Sequence, residues 1–167
     1  MFRKTTVYNL KQNVFREINQ NWMLITAKKP DGSINTMTAS WGAMGEIWNT
    51  EAVTVYIRQS RFTKEFVDAQ DYFTVSLFDG YKAQLGLLGS RSGRDGDKIA
   101  EAGFHPVDLD GQPGFEESKC VLVCRKLYRD DIRLEDMPED IRGKWYADGD
   151  YHTMYIGGIV SCYVNEA

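Results

Sequence analysis

The chain has 167 residues, a net charge of −4, 43% hydrophobic and 13% aromatic residues, which supplies the core of one compact domain spanning 1–167. This mildly acidic balance gives no general reason to expect nucleic acid, so a local basic cluster is expected to act on something small. No apolar run approaches a membrane span and Met1-Phe2-Arg3-Lys4-Thr5-Thr6 lacks a signal-peptide core, so the expected location is the cytoplasm, with no membrane partner.

Taken in order, Tyr8 to Asn19 reads as a short helix or irregular lead-in, with Leu10, Val14 and Phe15 at helical spacing. Trp22 to Ala27 is an apolar strand that stops at Lys28-Lys29-Pro30-Asp31-Gly32. Pro30 presets φ and Gly32 tolerates positive φ, so the chain is expected to double back as a hairpin through Ser33 to Thr38. Ala39-Ser40-Trp41-Gly42-Ala43-Met44-Gly45 is dense in small residues, which fits either close approach of a ligand or backbone, or a tight barrel corner. Val53 to Ile57 is β-rich, Phe62 to Ala69 has helical spacing, and Tyr72 to Phe78 is a further strand.

Tyr81 to Leu88 can form a helix, Ser90 to Gly96 a polar loop, and Asp97 can cap a short helix over Lys98 to Ala102 that ends at Gly103. Phe104 to Gly114 reads as an exposed excursion. From Lys119 to Leu127 both alternate faces are apolar, the pattern of a strand covered on both sides. Ile132 to Lys144 is an acidic loop with one helical turn. Tyr151 to Val164 is a long strand broken by Gly157-Gly158, where a bulge or bend is expected. Six to eight closely spaced strands with a few inserted helices predict a mainly β fold, an antiparallel barrel rather than a doubly wound sheet.

Cys120 and Cys124 share one face of a strand about 13 Å apart, from a rise of about 3.3 Å per residue, too far to pair within the roughly 7 Å a disulfide allows. With Cys162, His105 and His152 they show no zinc spacing, and buried free thiols are expected. There is no G-x-S-x-G elbow, Walker loop, H-E-x-x-H or G-x-G-x-x-G after a strand. No catalytic side chain and no metal ligand is therefore assigned.

The chemistry that remains lies at two segments, Thr36 to Gly42 and Arg58-Gln59-Ser60-Arg61-Phe62-Thr63-Lys64. Ser60 is a good N-cap for the helix that follows, whose first turn would carry Arg61, Thr63 and Lys64. Cations at the electropositive end of a helix are unfavourable unless an anion offsets them, and guanidinium, ammonium, hydroxyls and free amides together suit a phosphate monoester. Solvated cations at a helix edge are the alternative. A barrel rich in aromatics beside a phosphate site fits a phosphorylated aromatic cofactor.

Met37-Thr38-Ala39-Ser40-Trp41, Val53 to Ile57, Arg58-Gln59-Ser60-Arg61-Phe62-Thr63-Lys64 and Tyr72 to Leu77, in this order, resemble the flavin reductase-like family, and especially its flavoredoxin branch. The likeness continues through Ser92-Gly93-Arg94-Asp95-Gly96-Asp97-Lys98 and Asp150-Tyr151-His152 to Ile156-Gly157. The resemblance implies a Greek-key split β-barrel that binds FMN and works as a homodimer. It implies Thr38, Ala39, Ser40 and Trp41 along the flavin, and Arg58, Ser60, Arg61, Thr63 and Lys64 on its phosphate and ribityl side. His152 matches a position near the nicotinamide of NAD(P)H, against the alternative of a hydrogen-bonded surface or interface residue. Arg94 covers the flavin or meets a substrate anion, or is a solvated loop arginine. Trp145 and Tyr146 fit the flavin rim, a dimer interface or the core. Asp130 to Asp140 and Tyr151 depart from the simplest reductases and leave room for a redox-protein partner as donor. The expected activity is electron transfer from NAD(P)H to a flavin, a metal complex or a redox protein, with two alternatives: an FMN electron carrier, or a small-ligand or haem-degradation module on the same barrel.

Overall fold

A computed structural model describes residues 1–166. Ten strands form in chain order: β1 (Phe2–Thr5), β2 (Met23–Lys28), β3 (Ile34–Ala39), β4 (Gly42–Ile47), β5 (Thr50–Arg58), β6 (Tyr72–Leu77), β7 (Pro106–Leu109), β8 (Gln112–Phe115), β9 (Cys120–Asp131) and β10 (His152–Asn165). Four helices interrupt them, α1 (Phe62–Ala69), α2 (Lys82–Ser90), α3 (Lys98–Glu101) and α4 (Glu139–Trp145).

The main sheet is antiparallel throughout and runs β3-β2-β6-β9-β10-β5-β4, with β1 added to β10. Its two edges, β3 and β4, are consecutive in sequence and joined only by Ser40 and Trp41. Laid flat, six strand spacings of about 4.8 Å would separate those edges by about 29 Å, whereas three Cα steps of 3.8 Å reach about 11 Å at most. The sheet must therefore curl until its edges meet. The result is the expected antiparallel split barrel, open along the seam between β3 and β4.

Both faces of the central strands are buried, as the pattern of β9 predicted. Met23, Ile25, Ala27, Leu122, Cys120, Cys124 and Tyr155 fill the barrel with Phe66 and Val67 of α1. Leu24 points the other way, into a second cluster with Phe78, Leu85, Leu88, Ile99, Phe104 and Phe115, and Val121 and Val123 meet Leu109 and Tyr163 in a third. Each fully buried Leu, Ile, Val, Phe or Met among them contributes about 1.5–3 kcal/mol by leaving water. All three cysteines are free and buried.

One segment departs from the sequence reading, and two others are resolved by the structure. Residues 104–114 are not an exposed excursion: β7 and β8 form a hairpin through Asp110-Gly111, both at positive φ, and Phe104, Leu109 and Phe115 are buried under it. Its prolines and acids signalled a loop, but Thr74 Oγ1 donates to the Pro113 carbonyl and seats the hairpin on the barrel. Residues 8–19 match the expected short helix or irregular lead-in: a 3₁₀ turn, Val7–Asn9, is followed by irregular residues 10–13 and then by helical turns that end in a π-helical turn, Arg16–Asn21. The small-residue stretch runs from the end of β3 through Ser40 and Trp41 into β4, and Gly42 serves the expected close backbone approach, because a Cβ there would lie 2.9 Å from the Thr54 carbonyl oxygen.

The register of β10 against β9 shifts between Ile156 and Gly157, the expected bulge. A Cβ on Gly157 would lie 2.5 Å from Phe73 Cζ and 2.8 Å from Cys124 Cβ. Gly157→Ala is therefore expected to destabilise the fold by about 1–3 kcal/mol. Urea denaturation checks this; an unshifted midpoint would mean that the barrel core yields there.

Candidate functional site

A cavity opens at the seam that closes the barrel. Among the described residues, the amides of Ser40 and Trp41 make no turn or loop hydrogen bond, since two edge strands end there without a neighbour. Unpaired edge groups seek a partner. Thr38, Ala39, Ser40 and Trp41, with Met37, line one wall of a cavity of about 370 Å³. Tyr56, Arg58, Ser60, Arg61, Trp145 and His152 line the rest.

Strand geometry explains the convergence. Tyr56 and Arg58 are two apart on β5 and share a face, and His152, the first residue of β10, pairs with Arg58. Trp145, at the end of α4, meets Trp41 edge to face at 5.0 Å, and the His152 ring lies 5.1 Å from Trp41. The Tyr146 hydroxyl and His152 Nδ1 are 2.9 Å apart. Burial, and then the charge of Arg58, push the His152 imidazole down to about 4. It is neutral at pH 7 and shares one proton-bearing contact with Tyr146.

A smaller compartment of about 130 Å³ adjoins this cavity, sharing Met37, Ser60 and Arg61 with it. Arg61 and Lys98 both line it. Arg61 donates to the Gly89 carbonyl at 2.6 Å, and Lys98 donates to the carbonyls of Leu88 and Arg91. Burial and then Arg58 lower the Arg61 pKa, while burial and then Arg61 push Lys98 down to about 8. Cations that repel one another in a half-enclosed space fit an anion that would relieve the repulsion.

Several sequence-predicted roles change. Ser60 does not cap α1: Arg61 holds the N-cap position without a side-chain bond, while the Ser60 hydroxyl and amide go to the Asp150 carboxylate. A tertiary acceptor has outcompeted the local cap. Thr63 is buried and takes a hydrogen bond from Asn35 Nδ2 at 2.9 Å, so its hydroxyl braces the small compartment, which it also lines. Lys64 leaves the site and pairs with Asp68 at 2.7 Å, the i,i+4 partner that helical spacing offers. Arg58 lines the cavity, but its guanidinium donates to the carbonyls of Asp150 and Trp145 and so fastens the segment after α4. Arg94 is not in the cavity wall. It pairs with Glu65 at 2.5 Å and lies over Phe62, strapping its loop to α1.

Tyr56, Lys98 and Asp150 were missed as site residues. Tyr56 carried a usable signal, its i,i+2 relation to Arg58. Lys98 and Asp150 lie in segments that carry the family likeness, but no local pattern gives either a role, because both act on partners in other segments of the chain.

A profile of the flavin reductase like domain family matches residues 15–167. Flavoredoxin of Desulfovibrio vulgaris (Miyazaki F) is similar in structure, with a TM-score of 0.69 at 20% identity over 98% of this chain and 78% of that one. An FMN-binding domain of a flavin reductases-like enzyme from Shewanella baltica OS155 gives 0.66 at 18% identity, covering 98% and 77%. The styrene monooxygenase flavin reductase of Pseudomonas putida S12 gives 0.66 at 17% identity, covering 88% and 80%. No curated protein matches the chain.

Proposed function

The chain belongs to the flavin reductase like domain family, and on that premise we propose that it is an FMN-dependent oxidoreductase fed by NAD(P)H. Its acceptor is a free flavin, a metal complex or a redox protein. The observation that carries this reading is the junction of a seam cavity with aromatic walls and a smaller cationic compartment. That pairing fits a flat ring bearing a phosphate tail. Bound FMN would supply the two-electron chemistry, accepting and returning a hydride equivalent.

This chain's residues bind and orient. The Ser40 and Trp41 amides are free to donate to the ring edge, where fixed dipoles favour the negative charge of the reduced state. Arg61 and Lys98 hold the phosphate, and Ser60 and Thr63 shape its compartment. Arg58 binds indirectly, by fixing Trp145 over Trp41. Neutral His152 offers one ring nitrogen to the cavity while Tyr146 holds the other, which suits an uncharged contact to a nicotinamide amide. The same reading carries a homodimer, with the half-exposed Trp41 near the partner, and a cytoplasmic location; no helix among the described residues is long and apolar enough to cross a membrane.

One observation favours an electron carrier reduced by a protein partner: Arg58 fastens the main chain of Trp145, whose ring packs on Trp41 at 5.0 Å in the cavity wall, which limits the space for a second planar ligand. Anaerobic addition of NADH and then NADPH to the FMN-loaded protein separates the two. Bleaching of the flavin bands within seconds is expected; bands that persist with both donors would sink the reductase reading and leave the carrier.

A further inference from the structure

The lead-in before β2 roofs a second cavity. Val7, Leu10 and Val14 pack on the barrel core, and between them and the barrel lies a cavity of about 340 Å³. Its floor takes one apolar side chain from each of five strands: Met44 of β4, Ala52 of β5, Leu77 of β6, Leu122 of β9 and Ile159 of β10. No lining residue is shared with the seam cavity. An apolar space of this size holds a small organic molecule.

The polar groups at the cavity fix the chemistry of an occupant. Glu46 and Glu51 both line it and stand directly opposite each other on β4 and β5, an arrangement that costs stability when both are charged. Among the described residues neither makes an ion pair, and no Lys, Arg or His lines the cavity. Glu51, by hydrogen bond and then by charge, holds the Tyr8 phenol above its ordinary range, and Glu46 adds to the effect. The Glu17 carboxylate also lines the cavity, but Lys119 at 2.9 Å and Asn21 at 3.1 Å already engage it. Gln12, another lining residue, has its Oε1 buried without a hydrogen-bond partner. A buried acceptor left so is costly unless a ligand donates to it.

An apolar chamber edged by two unpaired carboxylates and an orphan amide oxygen lacks one thing, a cation that carries N–H donors. We propose that this cavity binds a small apolar amine, with its hydrocarbon body against Leu77, Leu122 and Ile159 and its ammonium at Glu46 and Glu51. Gln12 Oε1 is the further acceptor. Charge-assisted hydrogen bonds to the ammonium would offset the repulsion between the two glutamates. A carboxylate of the same size is rejected by like charge, and a neutral body leaves the repulsion in place. The inference is independent of the flavin reading, since it uses no residue of the seam cavity.

The test is titration of the purified full chain with phenethylamine and, separately, with phenylacetate, followed by NMR shifts of the Met44 methyl and the Ala52 amide. Phenethylamine is expected to bind with a Kd of about 1 mM or tighter, and at least about tenfold more tightly than phenylacetate. In the double variant Glu46→Gln with Glu51→Gln, which removes both charges and keeps the shape, that ratio is expected to fall at least about fivefold. Its thermal midpoint should stay level or rise, because like charges no longer face one another. The proposal is overturned by no saturable shift with phenethylamine, by equal binding of the two probes, or by a ratio unmoved in the double variant. Shifts confined to Trp41 and His152 would place the amine in the seam cavity and overturn it equally. So would a lower midpoint in the double variant, which would mean that the carboxylates are already satisfied.

Discussion

Arg61→Ala is expected to weaken FMN binding about 100-fold, equivalent to about 2.7 kcal/mol. Arg61 is the cation that lines both the seam cavity and the small compartment, and a partly buried, charge-assisted contact to phosphate carries about 1.5–3 kcal/mol. The loss should be larger than that of Arg58→Ala, although sequence spacing made the two equivalent. Arg58 spends its donors on the Trp145 and Asp150 carbonyls, so its removal frees the Trp145 segment and should cost about tenfold or less. Lys64→Ala should leave FMN affinity within error, since Lys64 faces Asp68. Isothermal titration of the three variants checks the order, and thermal unfolding checks that Arg61, which also donates to Gly89, has not been lost as a brace. The double variant Arg58→Ala with Arg61→Ala should abolish binding. Unchanged affinity in Arg61→Ala would refute the phosphate assignment.

The second large effect is on stability against pH. His152 is 7% exposed and its imidazole is held down to about 4 in the folded chain, against about 6.5 when unfolded. Between those values the unfolded chain binds a proton that the folded chain does not. Stability therefore falls as pH is lowered from about 6.5 and stops falling, for this group, below about 4. The loss amounts to about 2–3 kcal/mol once residual solvent access is allowed for. His152→Gln keeps a hydrogen-bonding side chain beside Tyr146 and cannot titrate. Carboxylates titrating in the same range contribute alike to both proteins, so the difference between their urea-denaturation curves isolates His152. As pH drops from about 7 to about 4 the wild type should lose about 2–3 kcal/mol relative to His152→Gln; parallel profiles would mean that the imidazole protonates in place without cost. The neutral imidazole is also the form that the proposed nicotinamide contact uses, so donor affinity should not rise as pH falls through the same range.

Local pattern carried much of the architecture. The apolar run of β2, the two-faced run of β9, the turn at Pro30 to Gly32, the Asp97 cap and the Gly157 bulge all appear as expected, because each is set by residues within a few positions of one another. β4 escaped notice because its alternation is written in glycine, alanine and methionine, which carry little β propensity. Its closing turn places Trp48 and Asn49 both at positive φ, and the tryptophan is not a residue that marks such a turn. The β7–β8 hairpin escaped because its glycines and prolines are those of a loop, and only the barrel beneath supplies its apolar partner.

Residue types alone marked the segments that line the candidate site: Thr38 to Trp41 with Arg58, Ser60 and Arg61 reach one cavity, Thr63 lines the compartment beside it, and the expectation of an anion beside a flat ring came from the same residues. The sequence could not say which cation meets that anion. Ser60 had a helix to cap and Arg58 a phosphate to hold, until β10 brought Asp150 alongside and α4 brought the Trp145 carbonyl within reach of the guanidinium. Lys64 had a site to line until Asp68 lay one helical turn away on the same face. A donor's partner is decided by whichever acceptor the fold delivers at hydrogen-bonding distance, and here those acceptors lie up to 92 residues away. Local spacing places the donors. Only closure of the barrel chooses among the acceptors.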